Sequence, residues 1–136
     1  MGMDVHAVAR ALRQALAVES DVRSAWLFGS VALGRARRDS DVDVGVWMGG
    51  ACTFERMADL SARLQRATDL PVDLIVLDRA TPLLVRDAVN GVGILTRDPC
   101  TELEWVLQVS REAEDWSAFI QSFVAERRRA REASRG

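Results

Sequence analysis

The stretch Asp41-Val42-Asp43-Val44-Gly45-Val46 most restricts how this chain can fold. Valine at every second position is the period of a strand that buries one face. Val42, Val44 and Val46 then enter a core, and Asp41 and Asp43 share the opposite face. Two carboxylates fixed side by side repel each other unless a cation sits between them. Ten residues separate this pair from an upstream Gly29-Ser30, and the spacer is rich in arginine. Together these features suit divalent metal bound to a nucleoside triphosphate.

The rest of the chain supplies a frame for that segment. Val5, Val8, Leu12 and Leu16 recur at helical spacing, so a helix is expected over 4–18 with Asp4 as its cap. The apolar run 24–28 ends at glycine and reads as a buried strand. Residues 30–37 read as a short helix or turn, and 41–48 as the second strand. A helix follows over 54–68, then a third strand over 71–77. Thr81-Pro82 places a cap and a first-turn proline ahead of a helix running to about 90. Residues 91–96 form a fourth strand, and a long helix spans about 101–131. This alternation implies an α+β (α/β) architecture, a small mixed sheet of about four strands flanked by helices. The expectation is one domain over 1–136, with a core of about 5–100 and the long helix after it.

Each candidate side chain has a chemical reason to be where it is. Gly29 lets backbone approach a phosphate closely, and the Ser30 hydroxyl and the turn's N–H groups can donate to phosphate oxygens. The plainer reading of Gly29-Ser30 is a strand-to-helix turn with serine as cap. Asp73 is an acid near the start of an otherwise apolar strand, and burying it unpaired would be costly. A third metal ligand or a general base explains it; a solvent-facing strand end is the alternative. Asp78, at the strand exit, reads as a helix cap. Arg35, Arg37 and Arg38 carry guanidinium groups suited to triphosphate oxygens, or form a solvated turn. Ser40 either binds phosphate or starts the strand.

Composition excludes several classes. The net charge of -2 argues against a general nucleic-acid binder. All 18 basic residues are arginine, so no lysine serves as phosphate clamp or nucleophile. Cys52 and Cys100 belong to no metal-binding or redox motif and read as free thiols. His6 reads as a surface or packing residue. No apolar run reaches the ~20 residues of a membrane span and no signal peptide is visible, so the default setting is the cytoplasm.

Three segments in order, LFGS (27–30), SDVDVGV (40–46) and VDLIVL (72–77), resemble the minimal nucleotidyltransferases (MNT proteins) of the DNA polymerase beta-like superfamily. The resemblance covers about residues 5–100, including a glycine-then-hydrophobic strand at 90–95. It implies a Mg²⁺-dependent transfer of a nucleoside monophosphate from ATP, with two ions held by Asp41, Asp43 and Asp73. Gly29 and Ser30 would bind phosphate, helped by Arg35, Arg38 and Ser40. The chain departs from the family's pattern at Val31, Leu33 and Thr96. Such proteins are commonly antitoxins that transfer AMP to a tyrosine of a HEPN-domain ribonuclease. This chain contains no tyrosine of its own to modify. The alternatives are a non-catalytic nucleotide- or toxin-binding module, or a transferase acting on a small molecule such as an aminoglycoside. A template-copying polymerase is disfavoured, because the chain leaves no room for a template-binding domain.

In the long helix, Trp105 and Trp116 lie three turns apart with Val109, Ile120 and Phe123 close by on the wheel. That stripe is expected to pack on the sheet, with a partner-binding surface as the alternative. Arg127, Arg128, Arg129 and Arg131 suit the negative end of a helix dipole and read as a solvated tail. The oligomeric state is left open.

Overall fold

The computed structural model describes residues 4–34 and 41–135. In chain order the elements are α1 (Val5–Ala17), β1 (Ser24–Phe28), α2 (Gly29–Ala32), β2 (Val42–Trp47), α3 (Phe54–Thr68), β3 (Val72–Val76), a 3₁₀ turn (Leu77–Arg79), α4 (Pro82–Val89), β4 (Val92–Thr96) and α5 (Pro99–Arg135). The strands form one four-stranded sheet in the order β3-β2-β1-β4. β1 runs antiparallel to β2 and β4, and β2 runs parallel to β3. The expected mixed sheet flanked by helices and followed by a long helix is therefore present.

Capping explains where the helices start. The Asp4 carboxylate accepts from the His6 N–H at 3.0 Å, and the Thr53 and Thr81 hydroxyls accept from Arg56 and Leu84. α5 begins at Pro99, ahead of the expected 101, because Asp98 caps it and Pro99 fits the first turn. The Asp98 carboxylate accepts from the Thr101 N–H and hydroxyl at 3.3 and 2.7 Å. At its far end α5 runs to Arg135, beyond the expected 131.

Strand alternation gives the sheet two differently used faces. Val42, Val44 and Val46 are fully buried on one of them, as the valine period required. They meet Leu12 and Leu16 of α1 and Leu60 and Leu64 of α3 in the main core. The other face carries Trp26, Phe28 and Trp47 against Leu77, Val85 and Ala88. Trp105 of α5 stacks on Trp47 with ring centroids 4.8 Å apart and planes within 6°. Gly45 keeps this second layer tight, since a Cβ there would stand 3.0 Å from the Leu77 side chain.

Asp78 does not cap a helix. Its two carboxylate oxygens accept from the Met48 and Gly49 N–H groups, both at 2.8 Å. It thereby satisfies the backbone donors that β2 leaves unpaired as it exits the sheet. The acid is spent on the far end of β2 from Asp41.

Candidate functional site

The acids of the motif gather at one end of the sheet because of strand direction. β2 and β3 are parallel, and their register sets Asp43 beside Asp73. β1 is antiparallel to β2, so its last residue, Phe28, stands opposite Asp43. The turn that follows β1 must therefore cross directly over the Asp43 carboxylate.

Gly29 makes that crossing. Its φ is +73°, a conformation glycine adopts without penalty. A Cβ at this position would run into Asp43 Oδ2, with Cγ only 3.1 Å away. Sterics and backbone conformation thus demand glycine independently. Ser30 follows half-buried in the single turn of α2, and Val31 anchors that turn in the core. Leu33 is 68% exposed at its end.

The electrostatics centre on Asp43, which is half-buried, while Asp41 and Asp73 are exposed. Burial pushes the Asp43 carboxyl above its ordinary value, and the charges of Asp73 and then Asp41 push it further. Among the described residues, none offers these three carboxylates a hydrogen bond or an ion pair. A half-buried acid facing two like charges is the setting in which a divalent cation gains most. The oxygen-only donor set fits a hard ion such as Mg²⁺. The acids are neighbours without converging on one point. Among the described residues, no three His, Cys, Asp or Glu side chains form a group ready to hold an ion.

Beside the turn opens a cleft of about 410 Å³, lined by Phe28, Gly29, Ala32, Leu33, Asp87, Asn90 and Gly91. Sequence reasoning missed Asp87 and Asn90, which come from the end of α4. Gly91 brings them close, since a Cβ there would collide with the Leu27 carbonyl and lie 2.9 Å from Phe28 Cβ. The glycine before β4 was the available signal, but only the pairing of β4 with β1 shows what it approaches. Of the departures from the family pattern, Leu33 lines this cleft. Thr96 pairs with Ser24 at the opposite end of β1, away from the acids. Arg35, Arg37, Arg38 and Ser40 lie outside the described residues.

A family model described as polymerase beta, nucleotidyltransferase matches residues 10–100. Among solved structures, a chain of a toxin–antitoxin complex with AMP-PNP is similar, with a TM-score of 0.71 at 22% identity, covering 91% of this chain and 98% of that one. A chain of the complex between tri-AMPylated Shewanella oneidensis HEPN toxin and MNT antitoxin gives 0.70 at 18% identity, over 90% and 98% of the two chains. A chain described as a minimal nucleotidyltransferase is 26% identical, with a TM-score of 0.57 over 66% of this chain and 94% of its own. No curated protein matches the chain. Among the described residues, no helix is long and apolar enough to cross a membrane.

Proposed function

The chain belongs to the polymerase beta nucleotidyltransferase family, and from that premise we propose that it transfers AMP from ATP to a hydroxyl of a second protein. One observation carries the reading: the strand register sets Asp73 beside Asp43 while Gly29 passes over the Asp43 carboxylate. Asp41 and Asp43 would hold two Mg²⁺ ions, with Asp73 as a third ligand. Such ions, when bound, would supply neutralisation of the triphosphate, polarisation of the α-phosphate and a lowered pKa for the attacking hydroxyl. Gly29 and Ser30 receive the terminal phosphates through backbone N–H and hydroxyl donors, and Arg35, Arg38 and Ser40 add to them. Asp73 accepts the acceptor's proton as its oxygen attacks the α-phosphorus in line. The new P–O bond forms as the bond to pyrophosphate breaks, and pyrophosphate leaves with the displaced electron pair.

The favoured acceptor is a tyrosine of a HEPN-type toxin, which makes this chain the antitoxin of a two-protein module. Support comes from the similarity to chains of complexes containing AMP-PNP and an AMPylated HEPN toxin. On this reading the chain is a single nucleotidyltransferase domain over 1–136, working in the cytoplasm. A second reading is a module that holds nucleotide or covers a toxin without turnover. It is favoured by the lack of a ready ion-holding group among the described residues.

The test incubates the chain with α-labelled ATP, Mg²⁺ and the product of the neighbouring gene. Label on a tyrosine of that product, absent with Asp41→Asn or without Mg²⁺, supports transfer. Tight binding without label, indifferent to Asp41→Asn, establishes the module instead.

A further inference from the structure

The two edges of the sheet are not alike. β3 and β4 are its outer strands. On β4, the Ile94 carbonyl already accepts from Arg13 Nε at 3.0 Å. On β3, the outward groups are open. The Val42 N–H donates to the Pro71 carbonyl at 2.9 Å, which fixes the way each residue of β3 faces. The N–H and C=O of one strand residue point to the same side, and that side alternates along the strand. With Val42 in register with Val72, and Asp43 with Asp73, the backbone groups of Pro71, Asp73 and Ile75 turn inward to β2. Those of Val72 and Leu74 turn outward, and among the described residues none bonds to them. Pro71 faces inward, so the residue without an N–H does not close the edge.

An open strand edge is a template for another extended segment. This one carries a residue of the candidate site. Asp73 is exposed and shares its face with Asp43. A strand laid against β3 would put one residue directly opposite Asp73 on that same face. Adjacent strands lie about 4.8 Å apart, so the backbone of that residue would stand about 10 Å from that of Asp43. From there a serine or threonine hydroxyl is too short to cross Asp73. A tyrosine ring spans it and carries its oxygen towards an α-phosphate held at the acids.

Building on the transferase reading above, we propose that the free edge of β3 docks the acceptor. An extended, tyrosine-bearing segment of the acceptor protein pairs with the backbone of Val72 and Leu74, and its tyrosine lies opposite Asp73. The edge selects an extended conformation rather than a sequence, and reach to the acids selects the tyrosine.

Amide hydrogen exchange of the full chain, read by NMR with and without the unlabelled product of the neighbouring gene, tests the docking. Mg²⁺ and α,β-methylene ATP, whose α–β linkage cannot be cleaved, hold the complex before transfer. The Val72 and Leu74 amides should exchange at least about tenfold more slowly in the complex, and those of Asp73 and Ile75, already bonded to β2, should change less. Val72→Pro removes one outward donor without touching a bond to β2. It should cut kcat/KM for the neighbouring product about tenfold, the worth of one hydrogen bond, and leave the Kd for α,β-methylene ATP unchanged. Val72→Ala keeps the donor and should stay within about twofold of the parent chain. The exchange measurement needs no variant, so it holds whether or not Val72→Pro folds. Edge amides that exchange equally fast with the partner present overturn the proposal, as does a Val72→Pro chain that transfers normally. Label on the partner's tyrosine with unprotected edge amides would keep the transferase reading and remove the docking. Protected edge amides without label would do the opposite.

Discussion

The chain carries two clusters of three acids at opposite ends of β1, and it treats them in opposite ways. Before the strand, Glu19, Asp21 and Asp59 are neutralised by Arg56 and Arg63. Arg56 alone reaches Glu19 and Asp21 at 2.7 Å and Asp59 at 3.1 Å. Arg63 closes the set from the other side, on Glu19 at 3.1 Å and Asp59 at 3.0 Å. Glu19 is 7% exposed and tolerates burial because both its oxygens are paired. After the strand, Asp41, Asp43 and Asp73 have no described cation at all. Arg56 holds the Asp21 carboxyl below its ordinary value, whereas Asp43 is pushed up. The first cluster spends its charge on joining α3 to the start of the sheet. The second has no partner for its charge among the described residues, which is what the proposed metal-binding role requires of it.

Substitutions should separate the two clusters, and the largest effect belongs to Asp43. Asp43→Asn should cut AMP transfer at least about a hundredfold, since several kcal/mol of charge stabilisation is lost. Its melting temperature should hold or rise, because a half-buried like charge is removed. Arg56→Ala should do the reverse. Losing charged hydrogen bonds to the buried Glu19 and the exposed Asp21 and Asp59 should cost about 2 kcal/mol by denaturant titration. Transfer by the folded fraction should stay near normal. An Asp43→Asn variant that unfolds, or an Arg56→Ala variant that is stable but inactive, would remove the distinction.

The two clusters were unequally legible in the sequence. The acidic end could be read because its logic is local. Valine alternation puts Asp41 and Asp43 on one face, and the Gly29-Ser30 turn follows an apolar run. Only Asp73 needed a partner strand, and its place early in an apolar strand was enough to flag it. The Glu19–Arg56–Arg63 network gave no local signal, because it joins residues 37 and 44 positions apart. Asp78 was misread for the same reason: its acceptors serve N–H groups 30 and 29 residues away. The stripe on α5 was half right. Trp105 and Val109 do pack on the sheet, but periodicity alone does not show where the sheet ends beneath a helix. The start of α5 could have been read correctly, since Asp98-Pro99 repeats the cap-and-proline pattern of Thr81-Pro82.

The smallest predicted effect, and the sharpest on sign, is in pH. Asp21 titrates below 3.8 in the fold, chiefly through the hydrogen bond from Arg56. A depressed value means that the unfolded chain binds the proton more readily. Its stabilisation is complete above 3.8 and is lost as pH falls through the folded value. Asp43 titrates above 3.8, through burial and then the charges of Asp73 and Asp41. Its contribution is complete below 3.8 and is lost as pH rises through the raised value. In metal-free buffer, acidification from neutrality should therefore raise the urea midpoint slightly towards 3.8 and lower it beyond. Asp43→Asn should flatten the rise and keep the decline. Asp21→Asn should keep the rise and soften the decline. Both changes should stay below about 1 kcal/mol, because Asp21 is largely exposed and Asp43 only half-buried, so water screens each charge. A decline that disappears with Asp43→Asn and survives Asp21→Asn would mean that the ends had been assigned the wrong way round.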